Sequence, residues 1–327
     1  CDWSSDVCSS DLRNKLDELP NADQYLYSSY WGSSSLVPTN DYMFVEGKAI
    51  GLVRGFISEG YYTVDDFNYT NGQYVLKEGV PDITKALTAT YMHPYDLPAG
   101  QTAFPGAAKF RDVDESGTVD LDDATCLGEV MPRHTGSFQL NFNYKNFDLS
   151  TNFNWTAGGK VYNVAAMINA SGQEFDGIGA QRASWVADAF KVYNVNAAGD
   201  LYAVTNPDEL RALNANAKYH LPYHQSGITS SEWLENGSYL RLQTLTLGYT
   251  LPKNWLTKVH VDKIRLYLTA TNLFTITGYS GIDPEVNANP TGQSGFYSDL
   301  RIFPTLNMDF GTYPRARTFT FGANITF

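Results

Sequence analysis

The chain has 327 residues, carries 35 Asp and Glu against 23 Lys and Arg for a net charge of −12, and is 43% hydrophobic. That length is enough to bury a large core and ordinarily means one to three domains. The acidic balance, with no Lys/Arg-rich stripe to neutralise phosphates, excludes nucleic acid as a partner. No run of eighteen apolar residues is present to make a transmembrane helix, which leaves membrane β-barrels untouched because their strands hide in average hydropathy.

In chain order, the first twelve residues (CDWSSDVCSSDL) read as foreign to the rest of the chain. They resemble a spurious peptide produced when sequencing-adapter DNA is translated; the alternative is a disordered, acidic, Ser-rich tail. No secretory signal begins the chain, and for an exported protein the expectation is a missing N-terminus. Cys1, Cys8 and Cys126 make neither a disulfide framework nor a zinc spacing. From Arg13 to about Gly136 the pattern is irregular, with short strand-like pieces such as Tyr42–Val45 and Ile50–Ile57. A stretch that long is expected to be a functional or disordered loop region.

Within it, Asp112 to Asp123 (DVDESGTVDLDD) fits the template of a calcium-binding loop. Asp112, Asp114, Ser116 and Asp120 supply oxygen side chains at positions 1, 3, 5 and 9. Gly117 takes the sharp turn at position 6, Thr118 offers its carbonyl at 7 and Val119 anchors the loop at 8. Asp123 stands where a bidentate Glu is usual, so a bound calcium is expected to be weaker and structural. An acidic turn without metal is the alternative.

A hairpin comes next. Phe138, Leu140, Phe142 and Tyr144 alternate with polar residues, as do Phe147, Leu149, Thr151, Phe153 and Trp155. A two-residue turn at Lys145–Asn146 pairs Tyr144 with Phe147, Phe142 with Leu149, Leu140 with Thr151 and Phe138 with Phe153, placing both apolar sets on one face. Asn146 is expected to take the positive φ of the turn. The segment from Thr156 to Asn236 holds Gly158–Gly159, Trp185, Pro222 and an expected short helix near Asn206–Ala215.

Three long two-faced strands close the chain: Tyr239–Leu251, Ile264–Thr275 and Arg317–Phe327. Each is long enough, when tilted, to cross an outer membrane. The first changes phase between Leu242 and Leu245, which predicts a bulge or emergence from the membrane. Tyr144, Phe147, Phe153, Trp155, Tyr249 and Trp255 sit near strand ends, where membrane-interface girdles form. Trp185, Tyr193, Tyr223 and Trp233 fall in long connections and either stack on sugar rings or pack the loops, the latter favoured. His220 and His224 have helical metal spacing, but Pro222 breaks the helix. Ser294 in GQSG lacks the strand–helix setting of a nucleophile elbow, and no carboxylate pair singles itself out as a glycosidase dyad.

Two blocks, NGSYLRLQTLTLGYTLPKNW (Asn236–Trp255) and KIRLYLTATNLFTITGYSGIDPEVN (Lys263–Asn287), resemble the C-terminal region of SusC/RagA-type TonB-linked outer-membrane transporters of Bacteroidetes. Phe110–Ser150 resembles that family's acidic loop and following hairpin, and Arg13–Pro20 (RNKLDELP) the end of an earlier strand. The resemblance implies an all-β fold: an antiparallel transmembrane β-barrel with long extracellular loops, of which this chain holds five or six of the family's twenty-two strands. Residues 1–12 stand apart, residues 13–136 form the extracellular loop region, and residues 137–327 supply membrane strands and loops. The family's signal peptide, TonB box and plug have no counterpart here, and Phe327 is read as a native C-terminus.

What the resemblance implies for function is TonB-dependent import of an oligosaccharide or peptide at the cell outer membrane of a Gram-negative, Bacteroidetes-like organism. The implied partners are a SusD-like surface lipoprotein, the TonB complex acting on the absent plug, and outer-membrane lipid. Calcium is the one cofactor in prospect. The second hypothesis is a soluble, secreted, calcium-containing β-sandwich that binds carbohydrate; an enzyme comes a distant third. A sandwich needs its apolar faces opposed in a closed core, whereas a barrel turns them outward. The open strand edges and uncovered apolar face predict that this chain, expressed alone, aggregates or stays detergent-dependent.

Overall fold

A computed structural model describes residues 2–11, 15–19, 23–27, 36–38, 40–85, 87, 93–171, 183–222, 227–257, 261–286, 307–309, 311 and 313–327. Its main element is a six-stranded antiparallel sheet. The strands are β1 (Asp2–Asp11), β2 (His134–Tyr144), β3 (Phe147–Ala157), β4 (Tyr239–Thr250), β5 (Lys263–Thr277) and β6 (Thr318–Thr326). They lie in chain order, each hydrogen-bonded to the next. At about 3.3 Å per residue these strands extend about 30 Å or more, and their 9 to 15 residues match the length a tilted membrane strand needs.

The β2–β3 hairpin has the expected register, with Tyr144 opposite Phe147 and Phe138 opposite Phe153. The turn differs in one respect. Lys145, not Asn146, has the positive φ, at 53°. Asn146 is instead engaged sideways, donating from Nδ2 to the Thr250 carbonyl (2.8 Å) and accepting the Thr250 N–H (2.8 Å), which ties the hairpin tip to the end of β4. The phase change in β4 is a bulge at Gln243: both neighbouring strands pair with Leu242 and Thr244 and skip it. One extra residue restores the apolar set to a single face on either side.

That face is apolar from β2 to β6 except at Thr151, which lies in the row of Leu140, Leu245, Ala270 and Phe319. One row is Phe142, Leu149, Leu247, Leu268 and Phe321; the next is Tyr144, Phe147, Tyr249, Leu266 and Ala323. A further row takes Phe138, Phe153, Leu242 and Phe274, with Phe138 and Phe153 stacked at 4.7 Å. Phe142, Phe147, Leu247, Leu268, Phe319 and Phe321 are all exposed. Among the described residues no second sheet packs on this face.

The first segment departs from a disordered tail. Asp2–Asp11 is extended and paired along β2 from His134 to Asn143. A free edge of unpaired backbone groups accepts an extended segment with little regard to its side chains. Of Arg13–Pro20, residues 15–19 are described and form no strand; Lys15 makes one bridge with Ala49, and the nearest strand is β1 just upstream.

The loops differ more. The connections at one end of the sheet are the Lys145–Asn146 turn and the described part of residues 251–262, whereas the described parts of residues 12–133, 158–238 and 278–317 lie at the other end. Residues 13–136 are not irregular throughout. They include a four-stranded sheet of Gln24–Tyr27, Tyr42–Val45, Leu52–Gly55 and Thr125–Glu129. They also contribute Phe56, Tyr62, Tyr74 and Phe104 to a buried core that takes Phe190, Leu210 and Ile228 from the second connection. A second core joins Tyr42 and Val53 to Met167, Trp185, Trp233 and, from the third connection, Met308. The three connections therefore pack as one body.

The second connection carries the helices α1 (Val164–Ser171), α2 (Ala183–Asp188) and α3 (Pro207–Leu213). The last is the expected one. Asn206 caps it by accepting from the Asp208 and Glu209 N–H groups, Pro207 stands at its first turn, and Leu210 is its buried contact.

Candidate functional site

The face of the sheet opposite the apolar one is polar. One row across it is Asn141, Ser150, Thr246, Thr269 and Thr320, and the hydroxyls of Thr246 and Thr269 are hydrogen-bonded at 2.9 Å. The next row, Asn143, Asp148, Gly248, Tyr267 and Gly322, holds two glycines for a steric reason. Asp148 and Arg265 pair across Gly248, with Arg265 Nε 2.9 Å from Oδ1, and a Cβ on Gly248 would overlap both partners. Likewise the Tyr267 ring lies over Gly322 where a Cβ would sit. Glycine leaves room for a charged pair and a ring to lie flat along the wall.

Arg241, at the loop end of this face, is only 1% exposed. Its guanidinium donates to Thr275 Oγ1 (3.0 Å), Glu285 Oε2 (2.9 Å) and Asp283 Oδ1 (2.5 Å). Arg315 also pairs with Glu285. These bonds fasten the third connection to β4 and β5. A planar five-donor fork suits such convergence. Sequence reasoning did not single Arg241 out; its only sequence signal is a charge in the short run before the phase break.

The acidic loop adopts a tight, internally bonded form. Glu115 (φ 59°) and Gly117 (φ 87°) turn the chain. Asp112 accepts the N–H groups of Ser116 (3.1 Å) and Gly117 (2.7 Å), and Asp114 accepts that of Ser116 (3.0 Å). Hydrogen bonding from Ser116 holds the Asp114 carboxyl below its usual range. Val119 is fully buried in the first core, as an anchoring residue at position 8 should be. Asp123 is buried, and its carboxylate accepts from the N–H groups of Val113 (2.5 Å), Asp114 (3.3 Å) and Asp120 (2.8 Å), closing the loop into a ring.

One oxygen from each of Asp112, Asp114 and Asp123 lies within 4.8 Å of the others. These are hard oxygen donors of the kind calcium prefers. Asp120 does not join the trio: its side chain caps the short turn Leu121–Asp123 by accepting from Asp122 N–H (2.8 Å). The Ser116 hydroxyl donates to the Thr118 carbonyl (3.0 Å), so those two candidate oxygens bond each other.

The loop aromatics divide. Trp185 is buried, stacked on Tyr219 at 3.8 Å and 5.0 Å from Trp233. Tyr193 is exposed, and Tyr223, His224 and Ser294 lie outside the described residues. His220 sits in a loop, with Nδ1 2.8 Å from the Leu221 carbonyl. The clustered rings of Trp185, Tyr219 and Trp233 border a cavity of about 280 Å³ that also meets Glu232, Glu235 and Ser280. At the strand ends, Phe147 and Tyr249 are in ring contact at 4.6 Å beside the hairpin tip, while Trp155 sits at the opposite end next to Leu240. Trp255 is exposed in a short helical turn after β4, and Phe153 lies within the apolar face.

A sheet that is apolar on one face and polar on the other, with its long connections folded together at one end, defines an all-β class of protein. No family model matches the chain. Among curated proteins it is 28% identical over 326 residues to TonB-dependent receptor P3 of Formosa agariphila, covering 99% of this chain and 27% of that protein. It is 26% identical over 246 residues to TonB-dependent receptor SusC of Bacteroides thetaiotaomicron, covering 72% of this chain and 19% of that one. Among solved structures, the RagAB peptide transporter matches all of this chain and 27% of its own, with a TM-score of 0.58 at 18% identity. The chain is therefore related to TonB-dependent receptors of the SusC/RagA type, as its strand and loop motifs imply. It spans about a quarter of the length of the relatives it matches. Those relatives are receptors and transporters, not enzymes.

Proposed function

We propose that this chain is one arc of the closed barrel of a TonB-dependent outer-membrane importer. The observation that carries the reading is the apolar face of β2 to β6, exposed at Phe142, Phe147, Leu247, Leu268, Phe319 and Phe321. In water such a face is costly; in a bilayer it is the lipid contact, with the polar face turned to the lumen. Closure by strands outside this chain supplies the partners that β6 lacks, since an open edge does not persist in lipid. The aromatic clusters at Phe147–Tyr249 and at Trp155 become interfacial girdles. A carbohydrate-binding sandwich is disfavoured, because its apolar face would be covered.

On this reading residues 13–136 belong to the extracellular side, where they fold with residues 158–238 and 278–317. That body is the surface for a SusD-like lipoprotein, and the cargo is an oligosaccharide or peptide driven through by the TonB complex. The acidic loop holds a structural calcium on Asp112, Asp114 and Asp123, stiffening the body without chemistry of its own. Calorimetry of the purified chain at millimolar calcium tests that site; absence of heat removes it.

The import reading is tested in the native organism. Deleting the gene should abolish growth on one class of oligosaccharide or peptide while leaving growth on monosaccharides and amino acids intact. The protein should fractionate with the outer membrane and co-purify with a surface lipoprotein. A deletion strain with normal growth on all such polymers, or a protein recovered free in culture fluid, would overturn it.

A further inference from the structure

The cavity behind the clustered rings has a chemistry of its own. Its described walls are Trp185, Tyr219 and Trp233 with Glu232, Glu235, Ser280 and two alanines, and there is no Lys or Arg among these described lining residues. Glu235 is satisfied: Oε1 accepts from Asn163 Nδ2 (2.8 Å) and Ser280 Oγ (2.6 Å), and Oε2 from Ser280 N–H (2.7 Å). Glu232 is not. Among the described residues its carboxylate makes no hydrogen bond, and its nearest ionisable neighbour, His220 Nε2, stops 3.7 Å away. Burial pushes the Glu232 carboxyl above its usual range, with His220 opposing the shift.

A mostly buried carboxylate against aromatic walls, with no hydrogen bond among the described residues and only the His220 ring 3.7 Å away as counter-charge, is an expensive arrangement unless something compensates it. A neutral pyranose would donate hydroxyls but leave the charge standing. A phosphate or carboxylate guest would meet two acidic side chains. An ammonium group donates, neutralises, and gains from nearby ring faces. We propose that this pocket takes a primary ammonium group, with Glu232 as its counter-charge and the Trp185–Tyr219–Trp233 cluster as its wall. The amine belongs to a lysine side chain or to the free N-terminus of a peptide.

The proposal rests on the import reading for its biological meaning and deepens it toward peptide cargo. It is separable by experiment: binding in the pocket without uptake by the organism sinks only the import reading, and uptake without pocket binding sinks only this one.

The probes are three tripeptides titrated into the full chain in detergent micelles at about pH 7, where both kinds of amine are charged, followed by tryptophan fluorescence. Acetyl-Gly-Lys-Gly-amide presents a side-chain amine, Gly-norleucine-Gly-amide presents only an N-terminal amine, and acetyl-Gly-norleucine-Gly-amide presents none. Saturable binding is expected for the first or second, which identifies the source of the amine, and none for the third. Glu232→Gln, close in shape and without charge, should weaken binding at least about tenfold. Its near-UV circular dichroism should match the parent.

The proposal is overturned if the amine-free peptide binds as tightly, or if Glu232→Gln binds like the parent. It is also overturned if a neutral hexose oligosaccharide saturates the site and displaces the peptide, or if no amine peptide binds up to about 10 mM. Loss of the near-UV signature in Glu232→Gln would show that Glu232 holds the fold rather than a guest, and would count against it equally.

Discussion

The large sheet and the loop body use the same residue types to opposite ends. Phe319 and Phe321 in β6 are 64% and 72% exposed, whereas Phe56 and Phe104 in the loop body are at most 2% exposed. In the sheet, strand-to-strand hydrogen bonds set the geometry, and every second side chain is left outward for a medium the chain itself does not supply. In the body, three connections far apart in sequence converge, and the chain supplies its own apolar medium. One region is organised by backbone pairing, the other by burial. Their joint is Arg241, which binds Asp283 and Glu285 across the boundary.

That joint gives the largest expected effect. Arg241→Leu leaves the buried Asp283 carboxylate without its cation, while Glu285 keeps Arg315, and should cost about 3–5 kcal/mol. Denaturant unfolding in micelles, with fluorescence reporting the body, measures it; an unchanged midpoint would mean that the two regions are not coupled there. A similar loss, about 3–5 kcal/mol, is expected for Phe104→Ala in the body. Phe321→Ala should cost far less in detergent, because its surroundings are fluid. Equal costs for the two phenylalanines would erase the contrast between the regions.

The next effect is vectorial. Leu247→Arg places a charge in the middle of the apolar face and should weaken folding into lipid vesicles by about 2–4 kcal/mol, whereas Thr246→Arg one residue away, on the polar face, should be near neutral. Vesicle-folding titrations of the two variants decide whether the faces are assigned correctly; reversed costs would invert the sheet.

The smallest effect is confined to the body. Asp66 accepts from Thr63 N–H (2.6 Å) and Oγ1 (2.9 Å) and pairs with Lys109 at 2.8 Å. Burial alone would raise its carboxyl, but these bonds outweigh burial and hold it below the usual range. The charged form is thus favoured in the folded state, so its contribution is present above the unfolded value and is lost as pH falls through the lower folded one. Asp66→Asn should cost about 1 kcal/mol at neutral pH, with the difference from the parent fading below about pH 4. Thermal melts at several pH values test the sign, and a penalty that grows with acid would refute it.

Much of the sheet was legible because its rules are local. Alternation over Phe138–Tyr144 and Phe147–Trp155, with two residues between, fixes register once one face must be apolar, and the observed pairs are those so derived. The break of alternation between Leu242 and Leu245 likewise marked the bulge at Gln243. What misled was the turn, where Asn146 is a plausible host for positive φ but the tie to Thr250 puts that strain on Lys145. In the acidic loop, spacing placed Asp112, Asp114 and Asp123 together, yet it could not show that Asp120 turns away to cap Asp122.

The body was hidden for the opposite reason. Its contacts join Tyr61 to Ala217, Tyr74 to Thr205 and Asn307 to Val130, separations over which no periodicity in the chain carries information. By itself the sequence determined strands β2 to β6, the register of the β2–β3 hairpin, the two-faced pattern and the kinship these imply, since each depends on neighbours or on alternation along one strand. Only the tertiary structure decided that the long connections share cores, that Arg241 fastens them to the sheet, and that Glu232 meets three aromatic rings without a hydrogen-bonding partner among the described residues. Those arrangements arise from burial among distant segments, whose energy depends on which groups lie nearby in space and not on which residues come next in the chain.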